Sequence, residues 1–410
     1  MTERPLHVLL VHQLFVLGNE AGGTRHVELA AQLAAAGERV TVIAPTTSYL
    51  TGAVVGAPGE RTEPVPGVRV ERVASWRGGS GFAARVGAFL SFAASSFVAG
   101  LGVPRVGVVW GTSPPLFQAV TAWLLARVRG VPFVLEIRDL WPDFAVELGV
   151  LTNPVLIAAA RACERFLYRS ADRVVVNSPG FVEHVVARGA PRTRVVVVPN
   201  GVDVTPFDPA ARGEAMRTEL GAAPGDVLVV YAGAHGIPND LDVVLDAAER
   251  LRDERAIRFA LVGGGRDRAR LVERARAMGL GNLVFAEAVA KERIPEVLAA
   301  ADVCVAVLKP LPMFTTTYPN KVFDYMAAGR PVALAIDGVI RGVVEEAGAG
   351  AYVPPGDAAA MAAAILRYAR DPDLRARHGH AGRAHVEARF RREGQGEALR
   401  LLFRDVAARR

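Results

Sequence analysis

Short apolar runs alternate with helix-patterned stretches along this sequence, and near residue 226 the alternation starts afresh. Residues 6–11 form a continuous apolar run, the pattern of a parallel strand buried on both faces. Gly22-Gly23 lead into a helix over 24–36, and 39–44 returns as a second strand. Further strand-like runs fall at 68–73, 106–110, 132–137, 173–176 and 195–198. The second series occupies 227–231, 257–262, 283–285, 303–307 and 332–334, with helices near 240–251, 268–278 and 294–299. Strands separated by helices make doubly wound parallel sheets. The expected fold class is α/β: two Rossmann-like doubly wound parallel-sheet domains facing one another across a cleft. Pro199-Asn200-Gly201-Val202-Asp203 carries the turn chemistry of a linker. The first domain is therefore set at 1–203 and the second at 204–389, with a mostly helical, Arg-rich chain after 357.

In open sheets of this kind ligands sit beyond the carboxyl ends of the strands. The groups expected there are Gly22-Gly23-Thr24-Arg25-His26, Gly111-Thr112-Ser113-Pro114, Arg138-Asp139, Gly233-Ala234-His235-Gly236, Gly263-Gly264-Gly265 and the stretch 318–331. The last is the most informative. Pro319 suits the start of a short helix and Gly329 its end, so free N–H groups and a positive dipole end face whatever lies in front. Lys321 stands in the first turn and Asp324 one turn on, on nearly the same face. A cation for phosphate and a carboxylate for a ribose diol describe a nucleotide site. A capped helix with solvated charges is the plainer reading of the same letters. The cation count adds weight: Lys and Arg total 48, and only Lys291, Lys309 and Lys321 are lysine. Lysine serves as a point-charge phosphate ligand.

Other chemistries find less support. No Walker lysine loop and no Gly-x-Gly-x-x-Gly after the first strand is present. No His/Cys cluster has metal-ligand spacing, and Asp240-Leu241-Asp242 reads as helix capping, so no metal and no cofactor is expected. Cys163 and Cys304 are too few for a disulfide framework, which favours reduced core thiols and a cytoplasmic protein. Residues 72–135 hold six arginines and no Asp or Glu around the uncharged, apolar stretch 86–104. Flanked by Trp76, Arg77, Arg85 and Arg105, that stretch reads either as a buried core helix or as one lying on an anionic membrane.

Taken in order, Gly22–Ala30, Gly111–Pro115, Glu136–Pro142, Pro199–Asp203 and Pro319–Pro331 resemble the motifs of family 4 glycosyltransferases of the GT-B fold, bacterial surface-polysaccharide type. The resemblance covers nearly the whole chain. It implies metal-free, retaining transfer from a nucleotide diphosphate sugar, a UDP-sugar foremost, to a lipid-linked sugar acceptor at the cytoplasmic membrane face. It implies no nucleic-acid partner. It also implies a C-terminal helix at about 390–410 that crosses back to the first domain. Carried over, donor binding falls to Gly22, Gly23, Gly233, His235, Gly236, Lys309, Thr316, Asn320, Lys321 and Asp324. Catalytic candidates are Arg138, Asp139 and His26, acceptor-binding ones Arg25 and Ser113, and membrane-facing ones Trp76, Arg77 and Arg85. Three departures stand out. Thr316 and Asp324 occupy the places of two family glutamates, which points to an N-acetylhexosamine or deoxysugar. Gly233-Ala234-His235 replaces a basic pair that holds the diphosphate, and Arg138 stands where relatives place a histidine. A soluble acceptor and a nucleotide-sugar epimerase are the alternative readings.

Overall fold

His7–Val11 (β1) is buried at every residue and pairs in parallel with both neighbours, Leu10 lying opposite Val42 on one side and Trp110 on the other. Around it the computed structural model, which describes residues 4–48, 52–76 and 82–409, builds an 8-stranded sheet. Its other strands are β2 (Arg39–Pro45), β3 (Arg61–Val65), β4 (Val68–Val73), β5 (Val108–Ser113), β6 (Phe133–Ile137), β7 (Arg173–Val176) and β8 (Val195–Val197). The order is β3-β4-β2-β1-β5-β6-β7-β8, and only β3 runs antiparallel. The second sheet is 6-stranded and wholly parallel: β9 (Val227–Ala232), β10 (Ile257–Val262), β11 (Leu283–Ala286), β12 (Val303–Val307), β13 (Val332–Ala335) and β14 (Gly350–Tyr352), in the order β11-β10-β9-β12-β13-β14. Two parallel α/β sheets are the fold class expected from the sequence.

The chain divides into two compact units, one of Met1–Leu17, Gly23–Pro199 and Arg392–Arg410, the other of Gly18–Gly22 and Asn200–Arg391. The last helix, Arg392–Ala408, completes the first core: Leu399, Leu402, Phe403 and Val406 pack among the strand and helix residues around Leu10 and Trp110. Arg404 to Glu38 at 2.5 Å and Arg392 to Glu28 at 2.7 Å fix its orientation within that unit.

Some sequence expectations change. β5 runs Val108–Ser113 and so includes Gly111-Thr112-Ser113, which the sequence places beyond the end of a strand at 106–110. Asp240 caps no helix: the helix is Asp242–Arg250, Leu241 precedes it without a side-chain cap, and Asp240 sits at φ +40°. Asp242 instead pairs with Arg270 at 2.6 Å and with Arg274. The apolar stretch near 86–104 is the helix Phe82–Gly102, and it is amphipathic rather than fully buried: Phe92 and Ser96 are enclosed while Leu90 and Val98 face out. Among the described residues no helix is long and apolar enough to cross a membrane.

Candidate functional site

Three loops meet at the carboxyl ends of the second sheet: Gly233–Asn239 after β9, Gly263–Arg266 after β10 and the chain from Leu308 to Thr317 after β12. The helix Asn320–Ala327 abuts them. Its buried face, Val322, Phe323, Tyr325 and Met326, is anchored in the core, and the Tyr325 hydroxyl bridges the Ala232 amide at 3.0 Å and carbonyl at 3.1 Å. Extended Pro319 precedes the helix without a side-chain cap, and Gly329 at φ +66° follows it.

Lys321 leaves the first turn toward β9. Its Nζ donates to the Tyr231 hydroxyl at 2.6 Å and to Asn239 Oδ1 at 3.1 Å, and lies 4.1 Å from the Tyr231 ring centroid. Among the described residues no carboxylate pairs with it. Burial pushes its ammonium down to about 7. The close approach explains Gly233, where a Cβ would stand 2.9 Å from that Nζ. A cation held by two neutral acceptors has its charge uncompensated by a carboxylate, and an arriving anion favours its protonated form.

Asp324 turns elsewhere, its carboxylate pairing with Lys291 at 2.6 Å. Lys291 opens a short turn held by backbone bonds to the Gly18–Gly22 segment: Lys291 N to Glu20 O at 3.1 Å and Glu292 N to Gly18 O at 3.2 Å. Lysine 321 and Asp324 thus share a helix but not a partner, and Lys291 joins the candidate site as a residue that the sequence marked only through its rarity. Asn320 Oδ1, beside Lys321, is buried without a hydrogen-bond partner among the described residues. Thr316 bonds its own turn, Oγ1 to Met313 O at 2.6 Å. Lys309 lies on the same side, its amide donating to Pro238 O at 2.9 Å.

His235 is fully enclosed, and neither ring nitrogen has a partner among the described residues. Its backbone fills the space beside Gly265, whose φ of +150° only glycine adopts readily. Burial foremost, then Arg268 and Lys321, pushes the imidazole down to about 4. It is therefore neutral at pH 7, and the charge expected at this position from a basic pair is not supplied by His235. Gly236 has ordinary space at its Cα, while Gly22 falls in the second unit and Gly23, open above its Cα, in the first.

In the first unit the predicted polar residues collect around Glu136, the first residue of the motif 136–142 and one to which the sequence assigns no role. One carboxylate oxygen accepts from Arg25 Nε at 2.8 Å; the other meets His26 Nε2 and Trp110 Nε1, each at 3.0 Å. Arg25 also donates to Pro199 O at 2.8 Å and Val198 O at 2.7 Å. Burial works against the Glu136 charge, but Arg25 and His26 prevail and hold the carboxyl well below its usual range. The ring of His26 stacks 4.0 Å from that of His12, which bonds Thr112 Oγ1 at 2.7 Å. Arg25, His26 and Ser113 are buried, Asp139 is exposed, and Arg138 donates to Pro114 O at 2.6 Å. The structure thus brings Arg25 and His26 together as an internal cluster, with their polar atoms directed at Glu136.

Trp76 is 55% exposed and lies across Gly87 of the helix Phe82–Gly102. Arg77 and the Arg85 side chain fall outside the described residues. Among those residues no three His, Cys, Asp or Glu side chains gather as metal ligands do.

Comparison with known proteins matches residues 21–201 to the glycosyl transferase 4-like domain and 226–371 to the glycosyl transferases group 1 domain. Escherichia coli WcaI, named for colanic acid biosynthesis, is 30% identical over 58% of this chain and 60% of its own length. The D-inositol 3-phosphate glycosyltransferase of Nocardia farcinica is 34% identical over 54% of this chain and 50% of its own. The chain thus spans half to three-fifths of the length of these relatives. Two solved structures extend end to end. Sucrose-phosphate synthase from Thermosynechococcus elongatus superposes with a TM-score of 0.79 at 22% identity, covering 99% of this chain and all of that one. HepE from Anabaena, solved with UDP and glucose, gives 0.73 at 17% over 98% of this chain and all of that one. With both halves matched in order to family models and the fold matched over 99% of the chain, this chain belongs to glycosyltransferase family 4 and has the GT-B fold.

Proposed function

We propose that this protein is a retaining glycosyltransferase that moves a sugar from a nucleotide diphosphate donor, a UDP-sugar, to a lipid-linked acceptor in polysaccharide or glycoconjugate biosynthesis. The observation that carries the reading is Lys321, a cation that among the described residues has no carboxylate partner, at the carboxyl ends of β9 and β12. In such a place a lysine neutralises the charge that grows on a departing diphosphate. Asp324, with Lys291 as its counter-ion, takes the ribose hydroxyls, and the unpartnered Asn320 Oδ1 accepts from the donor. Arg25 and His26 act from within, through Glu136, as positioning residues of the first unit. Transfer proceeds by departure and attack on the same face, without a metal. Support for the donor comes from the HepE structure with UDP and glucose, and for a polysaccharide setting from WcaI.

Assay against a panel of nucleotide sugars with a lipid diphosphate-sugar acceptor tests this. UDP release that depends on acceptor, with the anomeric configuration kept in the product by NMR, is expected. An inverted linkage, or a free epimerised nucleotide sugar as product, overturns it. A soluble phosphorylated acceptor is the second reading, favoured by the names of the inositol phosphate relatives.

The lipid acceptor rests on the outer helices of the first unit. Val98, 70% exposed, and Leu90 share a surface with Val128 and Phe117 of the helix Leu116–Arg129; Phe89 and Phe117 rings stand 6.2 Å apart. Arg105 and Arg127, near the carboxyl ends of these two helices, are exposed, with no carboxylate paired to either among the described residues. Near an anionic bilayer each such charge adds about 1 kcal/mol. Reversing both to Glu should weaken flotation with anionic liposomes roughly tenfold or more, and added salt should reproduce the loss in the unchanged protein. Absence of liposome binding at low salt would leave the soluble acceptor as the better reading.

A further inference from the structure

At the opposite end of the second sheet, away from Lys321, the amino ends of β9, β12 and β13 border a cavity of about 760 Å³. Gly225, Asp302 and Pro331, one or two residues ahead of those strands, form part of its wall. The rest comes from the chain after Pro209, the end of the helix Ile294–Ala300 and the start of the helix Pro372–Arg389. Every wall belongs to the second unit.

Its charge is one-sided. The titratable and charged groups that line it are Arg212, Arg217, Arg330, Arg375 and His380 against Glu214 and Asp302. Asp302 is already engaged, accepting from Arg217 at 2.8 Å and from the Leu228 amide at 2.8 Å. That leaves Arg212, Arg330 and Arg375, none of which pairs with a carboxylate among the described residues, against the exposed Glu214.

Backbone carbonyls aim these guanidinium groups without neutralising them. Arg330, 8% exposed, donates to Leu298 O at 2.9 Å, Ala211 O at 2.6 Å and Ala299 O at 3.0 Å. Arg375 donates to Tyr368 O and to Ala369 O, the latter at 3.2 Å, and Arg212 to Pro209 O at 3.3 Å. Burial foremost lowers the Arg330 pKa; Cys304 and Asp302 oppose that shift while the neighbouring Arg212 and Arg217 charges add to it, so an anion placed among these guanidinium groups offsets their mutual repulsion. The carbonyl bonds leave the Nε–Nη2 edges of Arg212 and Arg375 as forks that suit phosphate, which accepts two parallel bonds, while Arg330 keeps Nη1 as a single donor. Between them the wall is apolar, with Pro209, Ala222, Pro224 and Ala376. The volume is that of a small organic ligand rather than of one tetrahedral anion.

We propose that this cavity is a second anion site, separate from the donor site, that takes an organic oligophosphate of nucleotide size. The phosphates lie on Arg212, Arg330 and Arg375, and the organic part lies on the proline and alanine wall. This assignment does not depend on the transferase reading, because it uses none of the residues placed at the donor site.

Calorimetry separates the two. With the full chain, UDP should report two classes of site and inorganic pyrophosphate should compete at both. Lys321→Met should remove only the donor class. Arg212→Gln with Arg375→Gln should remove the other, weakening it at least tenfold, while donor-site binding and transfer stay at the unchanged protein's level. Arg212→Lys with Arg375→Lys should restore part of the loss, since charge is kept. Arg212→Gln alone, at an exposed position, should weaken the second class too and guards against a folding defect in the double variant. Pyrophosphate binding at the second class with no gain from the uridine would place a free inorganic oligophosphate there instead of a nucleotide. A single class of site in the unchanged protein, or two classes that survive both glutamine substitutions, overturns the proposal.

Discussion

Replacing Glu136 by Ala should cost about 3–5 kcal/mol of stability, because it strands the buried Arg25 guanidinium beside His26 without its paired carboxylate, Glu28 nearby being already engaged by Arg392. For a unit of this size that is a fall of roughly 6–20 °C in the midpoint of thermal unfolding. Glu136→Gln should cost less, since an amide oxygen still accepts from Trp110 or Arg25. The pH dependence has a definite sign. A carboxyl held below its ordinary value stabilises fully above the unfolded pKa, near 4.3, and loses that contribution as the pH falls below it. The unchanged protein should therefore be more acid-sensitive than the Gln variant, relative to their stabilities at pH 7. Thermal melts from pH 3 to 7 on both proteins check this, and parallel curves would show that the cluster contributes nothing through its charge.

The same cluster shows where a linear reading of the chain stops. The apolar strands were legible because a parallel sheet buries both faces, so β9 and β12 announce themselves as uninterrupted runs and β1 as one after its first residue. β3 was not, since Arg61-Thr62-Glu63-Pro64-Val65 is an exposed antiparallel edge whose pairing comes from β4 and not from its own composition. Arg25 and His26 looked like free polar groups after a glycine turn. Their partner, Glu136, is 111 and 110 residues away, and it reaches them only because β6 lies next to β5 with Glu136 opposite Thr112. No local spacing encodes that. In the second unit the helix carrying Lys321 and Asp324 was readable from proline, glycine and periodicity alone. Their separate contacts were not: Tyr231 and Asn239 are 90 and 82 residues from Lys321, and Lys291 is 33 from Asp324. Helical spacing says which residues share a face; it does not say which neighbour each side chain will choose.

Lys321→Met should reduce kcat/KM for transfer by about 100- to 1,000-fold, the size of loss expected when a group facing developing leaving-group charge is removed. Methionine keeps the length and the apolar contact with the Tyr231 ring, so the folded unit should remain intact and the loss should track charge. A pH experiment on the unchanged protein makes the argument sharper. In the free protein the ammonium has been pushed down to about 7 by burial, so near neutrality it is only partly protonated. A diphosphate beside it favours the protonated form and raises that value. Donor binding between the free and the bound pKa must then take up a proton. Affinity should be flat below about pH 7 and fall as the pH rises above it, by up to tenfold per unit. His235, already neutral across this range because its pKa lies near 4, adds no slope of its own. Calorimetry of UDP binding in buffers of different ionisation enthalpy measures the proton directly. Uptake at pH 7.5 in the unchanged protein, and none in Lys321→Met, is the expected pair of results; uptake that persists in the variant would assign the proton to another group and detach Lys321 from the diphosphate.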